Sequence, residues 1–217
     1  MESGDGSHTI FHSGLNETYH SMHGAVQESE HVFIKAGLEQ FLPHKSTIKI
    51  AEVGFGTGLN AWLSYKRVVG SSTKIIYHSL EPYPLEKEIY SQLNYSKNAT
   101  DVSLTNFFLQ LHQAPWDEEI ELNDNFILKK IKLRLEDYIV SEQDFDLLYY
   151  DAFAPSKQAD VWLPENILKA YSLLGEKGIL VTYCARGQFK RDLKEVGFTV
   201  ETMLGPPGKK EMTRGLK

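Results

Sequence analysis

The stretch Ile48-Lys-Ile-Ala-Glu-Val-Gly-Phe-Gly-Thr-Gly-Leu-Asn60 opens as a short apolar run, turns on three glycines and continues into a helical pattern carried by Leu59, Trp62, Leu63 and Val68. A strand, a glycine-rich turn and a helix place unpaired backbone N–H groups at a helix N-terminus, ready for a ligand. The spacing narrows the choice of ligand. A dinucleotide fingerprint needs G-x-G-x-x-G, and Leu59 stands where its third glycine would fall. The chain has Glu52-x-Gly54-x-Gly56-x-Gly58 instead. Gly54 and Gly56 let the main chain approach a bulky ligand, and Gly58 lets the helix start close to the strand. Glu52 adds an anion beside the turn, which suits a cationic or amine-bearing ligand and would repel a pyrophosphate.

Around that turn lie 217 residues, enough for one domain with a sizeable core. The 41% hydrophobic and 24% charged content is that of a globular chain. No apolar run approaches the roughly 18 residues of a membrane span, and no signal-peptide pattern opens the chain, so a cytoplasmic protein is expected. The single cysteine, Cys184, excludes an intrachain disulfide and fits a reducing compartment. A net charge of −6 counts mildly against nucleic acid. Positive residues nevertheless gather near the end, at Arg186, Lys190, Arg191, Lys194, Lys209, Lys210, Arg214 and Lys217. Met1 to His8 reads as a frayed polar tail, with residues 1–9 expected to be disordered.

Along the chain, Tyr19-His-Ser-Met-His-Gly24 and Glu28-Ser-Glu-His31 crowd histidines and acids, but their spacing matches no structural zinc pattern and no metal is expected. A cover over the mouth of the site, with Tyr19, His20 and Glu30 facing ligand or solvent, is the simpler expectation. Lys74 to Glu81 reads as a second strand, and an acid at such a strand's end bonds ribose hydroxyls. Residues 96–124 are irregular and read as an insertion beside the sheet. Phe126 to Leu133 is a strand followed by Glu136-Asp137, of which Asp137 is the choice for a ligand contact, although helix capping fits it nearly as well. Asp146 to Tyr150 is an apolar strand that ends in Asp151-Ala-Phe-Ala-Pro155, a rigid elbow aiming a carboxylate and the Phe153 ring beside the turn. Trp162 fits core packing as well as a substrate platform. Gly178 to Cys184 is a further strand, Arg186 to Val196 a helix with a basic face, and Phe198–Met203 with Glu211–Leu216 a closing hairpin. Alternating strands and helices with an antiparallel pair at the end give an open α/β sheet.

The glycine pattern resembles motif I of the class I S-adenosylmethionine-dependent methyltransferases, a Rossmann-like fold, mostly parallel with an antiparallel C-terminal strand. The elbow Asp151 to Trp162, the turn Gly54 to Asn60 and the tail Gly208-Lys-Lys-Glu-Met212 together resemble a narrower family, the methyltransferase domain of bacterial tRNA 5-methylaminomethyl-2-thiouridine biosynthesis enzymes. The likeness covers residues 10–217. Two-domain members carry a flavin-dependent oxidoreductase domain, and this chain reads as a stand-alone methylating form. The resemblance implies methyl transfer from S-adenosylmethionine to the amine of 5-aminomethyl-2-thiouridine in the tRNA anticodon loop, with a separate enzyme supplying the aminomethyl group. It implies cofactor contacts from Glu52, Gly54, Phe55, Gly56, Gly58, Asn60, Glu81, Asp137 and Asp151. Asp151 and Phe153 would act at the reacting centre. Tyr19, Phe153, Pro155 and Trp162 would meet the base, and Arg186, Lys190, Lys209 and Lys210 the phosphates. The family usually has a proline where this chain has Ala159, which loosens the elbow. An N-methyltransferase for a small-molecule or protein amine, or a non-catalytic S-adenosylmethionine-binding protein, are the competing expectations.

Overall fold

The computed structural model describes residues 1–97, 102–139 and 143–217. A small ribbon of β1 (Phe11–His12) and β2 (Glu17–Thr18) precedes a helical stretch, α1 (Ala25–Ser29), which continues as a π-helical turn over Glu30–Lys35. The central strand β3 (Thr47–Val53) then runs into the glycine turn and α2 (Leu59–Val68). There follow β4 (Lys74–Leu80), α3 (Lys87–Tyr90), α4 (Val102–Gln113), β5 (Glu119–Asn123) and β6 (Phe126–Ile131). The chain closes with β7 (Phe145–Tyr150), α5 (Pro164–Leu173), β8 (Leu174–Thr182), α6 (Gly187–Glu195), β9 (Thr199–Leu204) and β10 (Glu211–Leu216).

Eight strands form one sheet in the order β5-β6-β4-β3-β7-β8-β10-β9. β6, β4, β3, β7 and β8 are parallel, whereas β10 runs antiparallel to both β8 and β9, and β5 antiparallel to β6. The expected open sheet with its closing hairpin is therefore present. β3 is buried on both faces over its last four residues, as a central parallel strand must be. The chain leaves β3 toward β4 on one side and returns to β7 on the other, so a crevice opens at the carboxyl end of β3. Apolar side chains pack against both faces, Phe33, Leu63 and Phe107 on one and Leu148, Ile167 and Leu193 on the other. Among the described residues no helix is long and apolar enough to cross a membrane.

Two segments differ from the sequence reading. Residues 1–9 fold back as a cap rather than fraying. The Ala25, Val26 and Gln27 amides at the start of α1 donate to Ser3 Oγ (3.1 Å), Ser7 Oγ (3.2 Å) and Asp5 Oδ2 (2.8 Å). Gly24 at the N-cap offers no side chain, so the first-turn donors are satisfied from a distant segment. Polar composition alone suggested a tail because the partners of these side chains lie far along the chain. Within 96–124, residues 98–101 lie outside the described residues. The remainder joins the core rather than sitting beside it. Phe107 of α4 stacks on Tyr65 of α2 at 3.6 Å, Trp62 Nε1 donates to Leu104 O, and β5 extends the sheet edge.

Candidate active site

The glycine turn works because its neighbours come too close for side chains. A Cβ on Gly54 would lie 2.4 Å from the Asp151 carbonyl oxygen, and φ there is +94°. Only glycine lets β3 and β7 end side by side with Asp151 at the crevice floor. Gly56, at φ +49°, faces the Tyr19 ring, which a Cβ would approach to 3.2 Å.

Under the turn, Asn60 bridges two acids. Its Nδ2 donates to Asp151 Oδ2 at 2.8 Å and to Glu52 Oε1 at 3.1 Å, and Ser79 Oγ donates to Glu52 Oε2 at 2.7 Å. Burial pushes the Asp151 carboxyl up to about 7, against the Asn60 bond that lowers it. Burial likewise pushes Glu52 up to about 8, with Asp151 adding to the rise. Glu52 is therefore a largely protonated group one layer below the crevice, and not the fixed anion that its place beside the turn suggests. Glu81, past the end of β4, is buried, and its two oxygens accept from the Gly56 and Tyr83 amides at 2.9 and 2.8 Å.

The elbow after β7 is held at four points. Asp151 N donates to Val53 O, Tyr183 OH to Ala152 O (2.7 Å), Trp162 Nε1 to Phe153 O (2.8 Å), and Phe153 N to Gln158 Oε1 (3.3 Å). Ala159 has φ −60°, the value a proline ring would impose, so the departure at this position leaves the local geometry intact. Phe153 meets Tyr19 and His12 edge-on, at 5.0 and 5.6 Å between centroids, forming an aromatic rim.

These groups line a cavity of about 920 Å³. Among the expected site residues, Gly54, Phe55, Gly56, Asn60, Glu81, Asp151, Phe153, Tyr19 and Lys209 are on its wall. Others lie elsewhere. Gly58 is behind the turn against His112 and Phe55. Asp137 is exposed, and the preceding Glu136 lines the cavity instead. Trp162 is buried against Tyr150 and Phe189, below the elbow it braces, and Pro155 flanks the elbow off the wall. Arg186 is exposed at the start of α6, Lys190 pairs with Glu211 at 2.7 Å, and Lys210 is exposed. Lys209 turns inward onto Glu28.

The early histidines do not converge. His20 Nε2 meets Thr57 Oγ1 at 2.7 Å, His31 Nε2 meets Leu204 O at 2.8 Å, and His23 packs against Gly208. Arg67 reaches Glu30 and Glu39. Sequence reasoning missed a second histidine on the turn, His112, whose Nε2 meets Thr57 O at 3.1 Å while its ring stacks on Tyr90. Burial lowers both His20 and His112 to about 4, so Thr57 is gripped by two neutral rings. Beneath them Lys130 is buried, donating to His112 O (2.8 Å) and facing the Trp116 ring at 4.6 Å. Only His20, next to Tyr19 in a run already singled out, left any signal in the sequence.

A family model described as S-adenosyl-L-methionine-dependent methyltransferase matches residues 97–217, more than half the chain. The chain belongs to this family. Similar curated relatives are the tRNA 5-methylaminomethyl-2-thiouridine biosynthesis bifunctional proteins MnmC of Burkholderia thailandensis and Burkholderia pseudomallei. Each is 29% identical over 95% of this chain, covering 33% and 34% of the relative. The chain thus spans about a third of the length of those relatives. Among solved structures, MNMC2 from Aquifex aeolicus superposes with a TM-score of 0.79 at 24% identity, covering 99% of this chain and 68% of that one, and shares the fold.

S-adenosylmethionine is the cofactor of this methyltransferase family, and the residues present fit it. Among the described residues, two buried side-chain oxygens on cavity-lining residues have no hydrogen-bond partner, Asn60 Oδ1 and Glu136 Oε2. Buried acceptors are rarely left unpaired. Both belong to residues that line the cavity, one beside the glycine turn and the other on the loop after β6.

Proposed function

We propose that this methyltransferase acts on the primary amine of 5-aminomethyl-2-thiouridine at the tRNA wobble position. The observation that carries the reading is Asp151, a half-buried carboxyl that desolvation raises to about 7 at the floor of the crevice, fixed by Asn60 and flanked by an aromatic rim. The names of the chain's relatives supply the nucleoside. Bound S-adenosylmethionine supplies an electrophilic methyl group on a sulfonium sulfur.

An alkyl amine is protonated near neutral pH and must lose that proton before it can act as a nucleophile. A solvent-exposed carboxylate is too weak a base to take it. Burial makes Asp151 a stronger base and makes the ammonium costlier, which brings the two proton affinities together. Asp151 then holds the nitrogen by hydrogen bond, in line for attack, and accepts its proton. Phe153, with Tyr19 and His12 edge-on to it, offers an apolar face for a base splayed from the anticodon loop.

Among ligand-facing acids, Glu81 stands where ribose hydroxyls are read, and Glu136, in place of Asp137, would meet the adenine amino group. Exposed Arg186 and Lys210 remain candidates for phosphate contacts. The aminomethyl group would come from a separate enzyme acting earlier on the same nucleoside, and such work would place the protein in the cytoplasm.

Incubating the protein and labelled S-adenosylmethionine with tRNA from a strain lacking this methylation tests the reading. Label should appear in one modified uridine, with the mass of one added methyl. Cofactor binding without transfer to that RNA, or transfer to free amines or proteins instead, refutes it.

A further inference from the structure

Three segments distant in the chain meet at the end of the cavity next to Asp151. Lys209, on the connection between β9 and β10, forms an ion pair with Glu28 Oε1 of α1. The other Glu28 oxygen accepts from the Ser21 amide at 2.8 Å, so the carboxylate is fixed on both sides. The Lys209 ammonium also lies 3.9 Å from the centroid of the Tyr183 ring, whose hydroxyl donates to Ala152 O beside Asp151. Glu28, Lys209, Tyr183 and Asp151 all line the cavity.

Five titratable groups interact with Asp151 from the elements packed around it, Glu52 and Tyr77 from the sheet, Glu28 from the cover, Tyr183 past the end of β8, and Lys209, while a sixth, His20 of the cover, interacts with Glu28 and Lys209. Near neutral pH four of them are mainly uncharged. Burial raises both tyrosines well above their usual range, lowers His20 to about 4 and raises Glu52 to about 8. Glu28 and Lys209 remain, and of the two Glu28 exerts the larger effect on Asp151. With Asp151 ionised, Asp151, Glu28 and Lys209 together carry two negative charges and one positive.

We propose that Glu28 is a second carboxylate of the acceptor subsite and Lys209 its fixed counter-charge, so that the pocket selects an acceptor arriving as an ammonium. The arriving cation balances the excess negative charge. Transfer of its proton to an Asp151 oxygen then leaves the nitrogen neutral with its lone pair free. Glu28 acts partly through Asp151, by favouring the protonated carboxyl that results, and in that respect is a positioning residue. This rests on the amine reading above and adds the groups that enforce it. A merely structural ion pair would hold α1 to the hairpin without distinguishing one acceptor from another.

The test measures cofactor-free binding of two anticodon stem-loops, one carrying 5-aminomethyl-2-thiouridine and the other 2-thiouridine without the amine. Wild type should prefer the amine-bearing RNA. Glu28→Gln should lose that preference by on the order of tenfold. Lys209→Met should keep or strengthen it, and Lys209→Arg should match wild type. Opposite signs at the two partners are the decisive readout. Equal losses in Glu28→Gln and Lys209→Met, or full retention in Glu28→Gln, overturn the proposal. If Glu28→Gln fails to fold, the two lysine variants still decide, since loss of preference in Lys209→Met with retention in Lys209→Arg also overturns it. A wild type that methylates the amine RNA without binding it preferentially overturns this inference alone. A wild type that neither prefers nor methylates it overturns the amine reading itself.

Discussion

Replacing Glu52 by glutamine keeps the shape of a fully buried side chain and removes its ionisation. The amide oxygen can still accept from Asn60, and the amide NH₂ can donate to Ser79 Oγ, reversing that bond. In the folded protein burial raises the Glu52 carboxyl from 4.5 to about 8. Between those limits the native state binds a proton that the unfolded chain has released, so this group's contribution to stability is full below 4.5 and is lost as pH rises through 8. Asp151, raised from 3.8 to about 7, acts in the same direction. His20 and His112, lowered from 6.5 to about 4, act oppositely and offset the carboxyls below pH 6.5. The loss should therefore show itself between pH 6.5 and 8, where Glu52 contributes about 2 kcal/mol. Urea unfolding of the cofactor-free protein at stepped pH measures it. The gap between Glu52→Gln and wild type should widen in the variant's favour by about 2 kcal/mol across that window. A gap independent of pH would mean that Glu52 titrates as an exposed acid, and the buried Glu52–Asn60–Asp151 arrangement would be refuted.

Asp151→Asn should abolish turnover while leaving S-adenosylmethionine affinity, measured by titration calorimetry, within a few-fold of wild type; a substantial residual rate removes it as proton acceptor. Gly54→Ala sets a Cβ against the Asp151 carbonyl at positive φ and should cost roughly 3–5 kcal/mol of unfolding free energy; an unchanged melting temperature contradicts the close approach of β3 and β7. Trp162→Phe removes the donor to Phe153 O and should cost about 1–2 kcal/mol of stability and lower kcat. Full activity there would show that the elbow does not depend on this bond. Reversing Lys210 together with Arg186 should weaken RNA binding and flatten its salt dependence, whereas an unaltered slope takes both out of the interface.

Local pattern carried much of this molecule. The glycine turn, the strand before it and the Asp151 elbow each declare themselves within a dozen residues, because steric freedom and apolar runs are written in neighbouring positions. Choices between adjacent residues were harder. Glu136 and Asp137 are chemically alike, and only the path of the loop after β6 decides which faces the cavity. Trp162 offered both an apolar body and an N–H, and the burial of both under the elbow depends on Tyr150 and Phe189. Lys209 looked like one tip of a basic loop until the fold brought Glu28 and the Tyr183 ring beneath it. His112 and Lys130 carried no sequence signal at all, since their partners at Thr57 and Trp116 are joined only by tertiary packing.

The contact between Gly54 and the Asp151 carbonyl spans two neighbouring strands, yet β4, β5 and β6 are all synthesised between them. A polypeptide emerging from the ribosome would therefore carry β3 with one flank zipped to β4 and the other bare until β7 appears. An apolar strand with an open flank invites pairing with a stranger. Nascent chains halted before Phe145 should stick to one another or to chaperones, and those released after Tyr150 should do so less.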